Sequence, residues 1–249
     1  MIRAQLDHFR APLVLGALGA GLLHAYVTGQ VGTLLHPLLQ PWVLAGAVGL
    51  LAAALLHLLL APAPEFRPAP ELALLAKRLG RDTLVVAALL GGLALAPRDF
   101  SSLALANRQG ADPALLLPQT ADAKPPEWKA DATGAIPVET TDLALAAEHA
   151  DTTAALEGHV VRLHGQLAPV PGQAGAFQVV RFLMFCCAAD AQPVAVRVRG
   201  EAPAAVRPMG WVEVSGPVHF VLGAEGKMEP VLTLQAAQSI PAPADKFLY

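Results

Sequence analysis

Apolar residues are concentrated in three stretches near the N-terminus, at residues 11–28, 41–60 and 83–96. A helix that spans a bilayer needs roughly 20 largely apolar residues, with about 17 as a working lower limit. The first two stretches reach that length and contain no Lys, Arg, Asp or Glu. The third is shorter, so a buried or re-entrant helix is the alternative there. We interpret all three as membrane spans, because a buried helix would have few partners in so small a protein.

The pattern changes after the third stretch. Residues 98–137 are rich in Pro, Ala, Asp, Gln and Gly and keep no helical or strand period, which predicts a linker. Beyond it, the sequence predicts a short helix at 142–150 and then five strands separated by turn-forming residues. The predicted strands are 158–168, 177–187, 194–199, 211–221 and 231–238. Five short antiparallel strands favour an OB-like five-stranded barrel, with a helix-topped sandwich as the alternative.

The composition also indicates a membrane protein, since 54% of the residues are hydrophobic and only 15% are charged. The first apolar stretch is longer than the roughly 7–15 apolar residues of a cleaved signal peptide, so we expect an uncleaved anchor. We therefore predict a transmembrane α-helical region of three spans over residues 1–97. An all-β domain follows the linker, over residues 138–249.

Lys and Arg residues in the short loops predict the orientation of the helices, because they are retained on the cytoplasmic side. Arg3 and Arg10 precede the first stretch, the loop 29–40 has no Lys or Arg, and the loop 61–82 carries four. The N-terminus is therefore expected in the cytoplasm. With three spans, the C-terminal domain is extracytoplasmic.

Charge argues against nucleic acid as a partner of the barrel. Residues 138–249 carry 7 Lys and Arg against 11 Asp and Glu, a net charge of −4. A surface that binds single-stranded nucleic acid needs a positive groove and stacking aromatic side chains. We therefore expect a protein partner or a small solute, and no nucleic acid.

The two cysteines of the chain, Cys186 and Cys187, are adjacent. Neighbouring residues of a regular strand point to opposite faces, so the pair can act together only where the strand ends or bulges. Three hypotheses stay open. In the first, the thiols pack as small hydrophobic groups. In the second, they bind zinc or another transition metal together with Asp190 and with His164 or His159 of the adjoining strand. In the third, they form a vicinal disulfide, which an oxidising exterior permits.

No sequence pattern predicts an enzyme. The chain lacks a Ser-His-Asp arrangement, a phosphate-binding loop, a paired-carboxylate cleft and a zinc-protease helix. We expect a binding or transport role without catalysis.

One motif is quite specific, and it runs from Arg181 and Phe182 through Cys186, Cys187, Asp190 and Ala191 to Pro193. Weaker ones are Thr28-Gly29, His36-Pro37, Ala96-Pro97, Ser101, Ala106, Asn107-Arg108 and 240–249. Together they resemble the YcgQ-type family of uncharacterised bacterial membrane proteins, which are regarded as permease subunits.

The resemblance implies a multi-pass protein of the bacterial inner membrane, usually encoded beside a multi-spanning permease that is its partner. It also implies that the third apolar stretch spans the bilayer, and it points to metal homeostasis, zinc in particular. We therefore predict an accessory subunit of a two-component transporter, whose external domain handles a transition-metal ion through Cys186, Cys187 and Asp190, with His164. An extracytoplasmic thiol–disulfide sensor or carrier is the alternative.

Overall fold

The computed structural model describes residues 2–60, 71–95, 105–106, 128–170, 172–223 and 226–249, with side chains from residue 9 onward. Contacts divide the chain into two compact units. The first comprises residues 1–99 together with Cys186–Ala188, and the second comprises residues 100–185 and 189–249. Most of the predicted linker lies outside the described residues.

The described residues of the first unit include three α-helices: α1 (Ile2–Val27), α2 (Gln40–Leu60) and α3 (Leu72–Leu95). A short 3-10 turn, Gln30–Thr33, lies between α1 and α2. Within the described parts of the chain, two helical segments are long and apolar enough to cross a membrane. They are Phe9–Val27, with a mean hydropathy of 1.3, and Gln40–Leu60, with a mean hydropathy of 2.4.

The third helix differs from the prediction in where it begins. It starts at Leu72 rather than at residue 83 and therefore includes Lys77, Arg78 and Arg81. The added segment consists largely of Ala, Leu, Lys and Arg, which are strong helix formers, so the helix continues through the charges. These charges keep α3 as a whole from qualifying as an apolar span.

Close packing of α1 against α2 depends on a glycine. A Cβ at Gly19 would lie 2.9 Å from Cγ of Leu51 and 3.0 Å from the carbonyl oxygen of Ala47. Small residues let two helices approach in this way within a membrane. The contact therefore fixes how α1 and α2 pair.

Two contacts join α1 to α3 and define their relative direction. Near the start of α1, Arg10 Nη1 lies 2.6 Å from Asp82 Oδ2. Eleven residues later, Gly21 faces the side chain of Leu90. Since the residue numbers rise together along both helices, α1 and α3 run parallel.

The second unit contains a closed five-stranded barrel. Its strands are β2 (Val160–Pro169), β3 (Ala176–Leu183), β4 (Gln192–Arg199), β5 (Trp211–Leu222) and β6 (Met228–Thr233). They pair in the order β2-β3-β4-β6-β5 and back to β2, with β4 and β6 parallel and the other pairs antiparallel. This confirms the predicted OB-like five-stranded barrel.

Three short strands extend the barrel. The first, β1 (Ile136–Pro137), runs parallel to β2, and β7 (Ala236–Ser239) pairs with β5. The last, β8 (Phe247–Leu248), runs parallel to the end of β3. The C-terminus of the chain is thus bound next to the segment that leads into the cysteine pair.

Three predicted boundaries in this unit were wrong. The helix expected at 142–150 is two helices, α4 (Thr140–Ala146) and α5 (Ala150–Leu156), because the chain turns at residues 147–149. The strand expected over 177–187 ends at Leu183, so neither cysteine lies in it. The segment predicted as 231–238 is divided between β6 and β7.

The barrel core is apolar and closed to solvent. Alternate residues of the strands point inward, and α4 and α5 contribute leucines to the same cluster. Members that are at most 1% exposed include Leu143, Leu156, Val161, Leu163, Phe177, Val179, Val196, Val214 and Leu232. This core supports the loops in which the candidate functional residues lie.

Candidate metal site at the cysteine pair

The cysteine pair lies in the loop between β3 and β4. The backbone N–H of Met184 donates to the carbonyl oxygen of Leu248 over 2.8 Å, immediately after β3 has ended. The chain leaves the barrel strand at that point, and Phe185 is exposed. The condition that the strand must end before the pair can act together is therefore met.

Three potential ligand atoms converge in this loop. The sulfur atoms of Cys186 and Cys187 are 3.6 Å apart, and neither forms a disulfide. A carboxylate oxygen of Asp190 joins them, and all three ligand atoms lie within 4.8 Å of one another. Cys186 is exposed, whereas Cys187 and Asp190 are half-buried. The two thiols and the carboxylate thus all come from this one loop and lie close together.

The spacing fits a tetrahedral metal ion. For a zinc–sulfur distance of about 2.3 Å, two thiolates at the tetrahedral angle would be about 3.8 Å apart. The 3.6 Å between the sulfur atoms is close to that value. Little movement of the thiols is therefore needed for both to bind one ion.

Asp190 is held by the loop that it belongs to. Its Oδ1 accepts a hydrogen bond from the backbone N–H of Phe185 over 3.0 Å. Ligating carboxylates are commonly oriented by such a bond, which fixes the direction of the ligand. The contact therefore closes the loop around the thiols before any ion binds.

Within the first unit, the chain at Leu34–His36 pairs with the chain at Cys186–Ala188. The His36 N–H donates to the Cys186 carbonyl oxygen over 3.0 Å, and the Ala188 N–H donates to the Leu34 carbonyl oxygen over 2.8 Å. Leu35 and Cys187 form an isolated antiparallel bridge between them. The cysteine backbone is thus supported by the segment that precedes α2.

His164 does not join the cysteine loop. Its Nε2 lies 2.6 Å from Nη1 of Arg181, a residue whose side chain is buried. The grouping of ligand atoms at Cys186, Cys187 and Asp190 does not include it. Of the four predicted metal ligands, the structure brings three together and places the fourth beside an arginine.

Arg181 is the centre of a buried polar cluster that sequence analysis did not predict. Its Nη1 lies 3.3 Å from Oε2 of Glu139, and its Nη2 donates to the carbonyl oxygen of Asp245 over 2.8 Å. The guanidinium also lies 5.5 Å from the ring centroid of Trp211, a cation–π distance. Burial lowers the pKa of Arg181, and the charge of Glu139 opposes that shift. An arginine remains charged in proteins, so these partners stabilise a buried cation.

The cluster fastens the C-terminal segment to the barrel. Nη2 of Arg181 also contacts the carbonyl oxygen of Phe247 over 3.4 Å, next to the pairing of β8 with β3. The same strand accepts the Met184 N–H two residues before Cys186. Arg181 thus supports the start of the cysteine loop through the C-terminus. Phe182, Ala191 and Pro193 of the same motif are buried and serve packing.

One family model matches part of the chain. Residues 146–249 match the DUF1980 C-terminal domain. No curated protein matches the chain. The match covers the five barrel strands and the cysteine loop.

Two solved structures show weak similarity. The Stn1–Ten1 complex of S. pombe aligns at 8% identity and a TM-score of 0.28, over 47% of this chain and 86% of that chain. A protein described as an aspartyl-tRNA synthetase from Leishmania major Friedlin aligns at 10% identity and a TM-score of 0.28, over 49% of this chain and 24% of that chain. The chain thus spans about a quarter of the second structure's length.

Proposed function

We propose that this protein is a membrane-anchored accessory subunit of a permease and that its OB-like domain binds a transition-metal ion outside the cytoplasm. The observation that carries the metal role is the convergence of Cys186, Cys187 and Asp190, with ligand atoms within 4.8 Å of one another. Two thiolates and one carboxylate favour zinc, since sulfur, nitrogen and oxygen ligands are all common in zinc sites.

The helices support the membrane part of the proposal. Two of them are long and apolar enough to span, and α3 runs parallel to α1. If α1 crosses from the cytoplasm outward, α3 crosses in the same direction beside it. The charges at Lys77, Arg78 and Arg81 then lie at the cytoplasmic end of α3, where positively charged residues are favoured. The chain after α3 emerges on the outside.

The metal role is tested by elemental analysis of the full chain purified in detergent. The wild type is compared with the double variant Cys186→Ser, Cys187→Ser and with the matched control His159→Ala, which changes an exposed residue that lies outside the group of ligand atoms. We expect near-stoichiometric zinc in the wild type and the control and none in the double variant. Equal metal in all three proteins, or none in the wild type, would refute the metal role.

The permease role rests on the motif resemblance and has its own test. The chain is co-expressed with the multi-spanning permease that the resemblance implies is encoded beside it, and an affinity tag on one is used to recover the other after mild extraction. A defined stoichiometric complex is expected. A chain that purifies alone under these conditions would contradict an accessory role without affecting the metal site.

A second candidate function is that of an extracytoplasmic dithiol sensor or carrier. The 3.6 Å between the two sulfur atoms favours it, because the thiols are already neighbours and need only approach each other to bond. Exchange with an external disulfide would form the Cys186–Cys187 bond and release two thiols of the oxidant. Mass spectrometry before and after mild reduction distinguishes the candidates: a gain of two hydrogens in a metal-free protein favours the sensor.

A further inference from the structure

One edge of β3 changes its partner near the end of the strand. The pairing of β2 with β3 ends at Gln166 and Val180, because β2 turns there to pair with β5. The other edge of β3 stays paired with β4 as far as Leu183. An unpaired strand edge is a template to which another strand adds. In this chain β8 takes the place that β2 leaves, and it runs parallel to β3 with Phe247 opposite Phe182.

Contacts with the main chain hold β8 in this place. Nη2 of Arg181 donates to the carbonyl oxygen of Asp245 over 2.8 Å and contacts that of Phe247 at 3.4 Å. The backbone N–H of Met184 donates to the carbonyl oxygen of Leu248 over 2.8 Å. Where a peptide binds by strand addition, main-chain bonds of this kind supply affinity and side-chain pockets supply specificity. The segment 245–249 is therefore held in the way that a bound peptide is held.

One buried aromatic side chain anchors the segment. Phe247 is 5% exposed, whereas Tyr249 is 48% exposed. Leu248 packs against a small apolar cluster that contains Leu183 and Val194. These contacts lie outside the larger cluster of described residues that fills the barrel. Release of the segment would therefore leave the barrel core intact.

The connection that leads to β8 favours its release toward another molecule. Residues 240–246 belong to no helix or strand, and Pro241 and Pro243 lie among them. Proline-rich connections are extended and semi-rigid, and short hinges favour the exchange of elements between copies. Of the described strands, only β3 pairs with β8. The segment can therefore leave without separating any other pair of strands.

We propose that this edge of β3 is a strand-binding site and that the segment 245–249 of a second copy occupies it in place of the chain's own segment. A second copy carries the same residues, so the contacts of Arg181 and Met184 are made again between the two copies. For this reason the exchange of identical elements is a low-cost route to a dimer. The inference goes beyond the proposed function and involves neither the metal ligands nor the permease.

A labelled peptide tests the site directly. A fluorescent peptide of residues 240–249 is titrated against the full chain in detergent, and its anisotropy is measured. The chains are the wild type, Phe247→Ala and the control Leu222→Ala, which removes an apolar side chain that is 71% exposed. We expect Phe247→Ala to bind the peptide at least about tenfold more tightly than the wild type, because the chain's own segment competes less once its buried Phe is lost. The Leu222→Ala chain should match the wild type.

A second peptide checks that the aromatic anchor is recognised. The same peptide with Phe247→Ala should bind the Phe247→Ala chain at least about tenfold more weakly than the wild-type peptide does. Circular dichroism of each chain shows whether it is folded. Equal binding of the two peptides would overturn the strand-binding site. Equal binding of the wild-type peptide by the folded wild-type and Phe247→Ala chains would overturn it as well.

Co-purification tests the second copy. Two copies of the full chain with different affinity tags are co-expressed and recovered one tag after the other in detergent. We expect wild-type copies to be recovered together, and incubation with an excess of the unlabelled peptide to separate them, a test that needs no altered chain. Recovery should fall at least about fivefold when both copies carry Phe247→Ala, and it should be unchanged when both carry Leu222→Ala.

Two results would overturn the exchange. Wild-type copies that are not recovered together would contradict it, and so would a pair that survives both the excess peptide and the Phe247→Ala change, since the copies would then be joined elsewhere. Neither measurement involves zinc or the permease, so this inference and the proposed function fail separately.

Discussion

Nε2 of His164 lies 2.6 Å from Nη1 of Arg181. The guanidinium has no acceptor, so it must donate and the imidazole must accept, which requires a neutral ring with its proton on Nδ1. In this pairing, the imidazole of His164 is the hydrogen-bond acceptor for the buried guanidinium of Arg181. This explains why a histidine on the strand next to the cysteine segment is absent from the candidate group of ligand atoms.

Replacing His164 by Ala should therefore affect stability rather than metal affinity. Removal of the acceptor leaves a buried donor unsatisfied, and we expect a loss of about 1–3 kcal/mol in the free energy of unfolding. The measurement is a denaturant titration of the full chain in detergent, and zinc affinity should stay within about twofold of the wild type. The exposed control His159→Ala should change stability by less than about 0.5 kcal/mol. Loss of zinc from a folded His164→Ala protein would instead make this histidine a ligand.

Replacing Asp190 by Asn separates the two roles of this carboxylate. The amide oxygen can still accept the Phe185 N–H, which is now 3.0 Å from Oδ1, but the charge that a metal ion needs is removed. We expect zinc affinity to fall by at least about tenfold, while the number of titratable thiols stays at two. Competition with a chromophoric chelator measures the zinc affinity, and a thiol reagent counts the titratable thiols. An unchanged affinity would remove Asp190 from the ligand set.

Two glycines of α1 should respond differently to substitution by Ala. A Cβ at Gly19 meets Leu51 and Ala47 at 2.9 and 3.0 Å, whereas a Cβ at Gly16 has nothing within 4 Å. Gly19→Ala must push α2 away or distort it, and we expect a loss of about 1–3 kcal/mol. Gly16→Ala should be neutral or stabilising, because Ala has the higher helix propensity by about 1 kcal/mol. Thermal unfolding of the full chain in one detergent gives the comparison, and equal effects would argue against the pairing of α1 with α2.

The stability of the barrel should depend on pH through Glu157. The Phe220 N–H, 2.9 Å from its Oε2, holds the pKa of this carboxyl below its usual value of 4.5, and His219 acts in the same direction. A carboxyl whose pKa is lower in the folded state stabilises the protein above its unfolded pKa, and this contribution is lost as the pH falls through the folded pKa.

The corresponding variant is Glu157→Gln, with Glu201→Gln as an exposed control. We expect the wild type to exceed Glu157→Gln in stability at neutral pH and the difference to shrink as the pH is lowered below the usual pKa of the carboxyl. Denaturant titrations at a series of pH values measure it. A difference that stays constant over this range would show that the ionised carboxylate is not what stabilises the pair.

The amino-acid sequence alone was sufficient to predict the barrel. Alternating apolar residues such as Val161 and Leu163 face the core and are at most 1% exposed, and turn-forming residues separate the strands. Both signals are local, since they depend on residues close together in the chain. The same holds for the apolar helices α1 and α2. The start of α3 was missed because its charged first half has strong helix propensity but no apolar period.

The sequence also identified the cysteine segment, but the tertiary structure decided how it is used. Just after β3 ends, Met184 bonds to Leu248, which lies far along the chain, and the pairing of β2 with β3 brings His164 close to Arg181. The position of His36 opposite Cys186 comes from a pairing of segments about 150 residues apart. Such contacts follow from register and closure of long loops, and no local pattern encodes them. The residue types therefore determined which functional groups are available, and long-range pairing determined which of those groups lie close together.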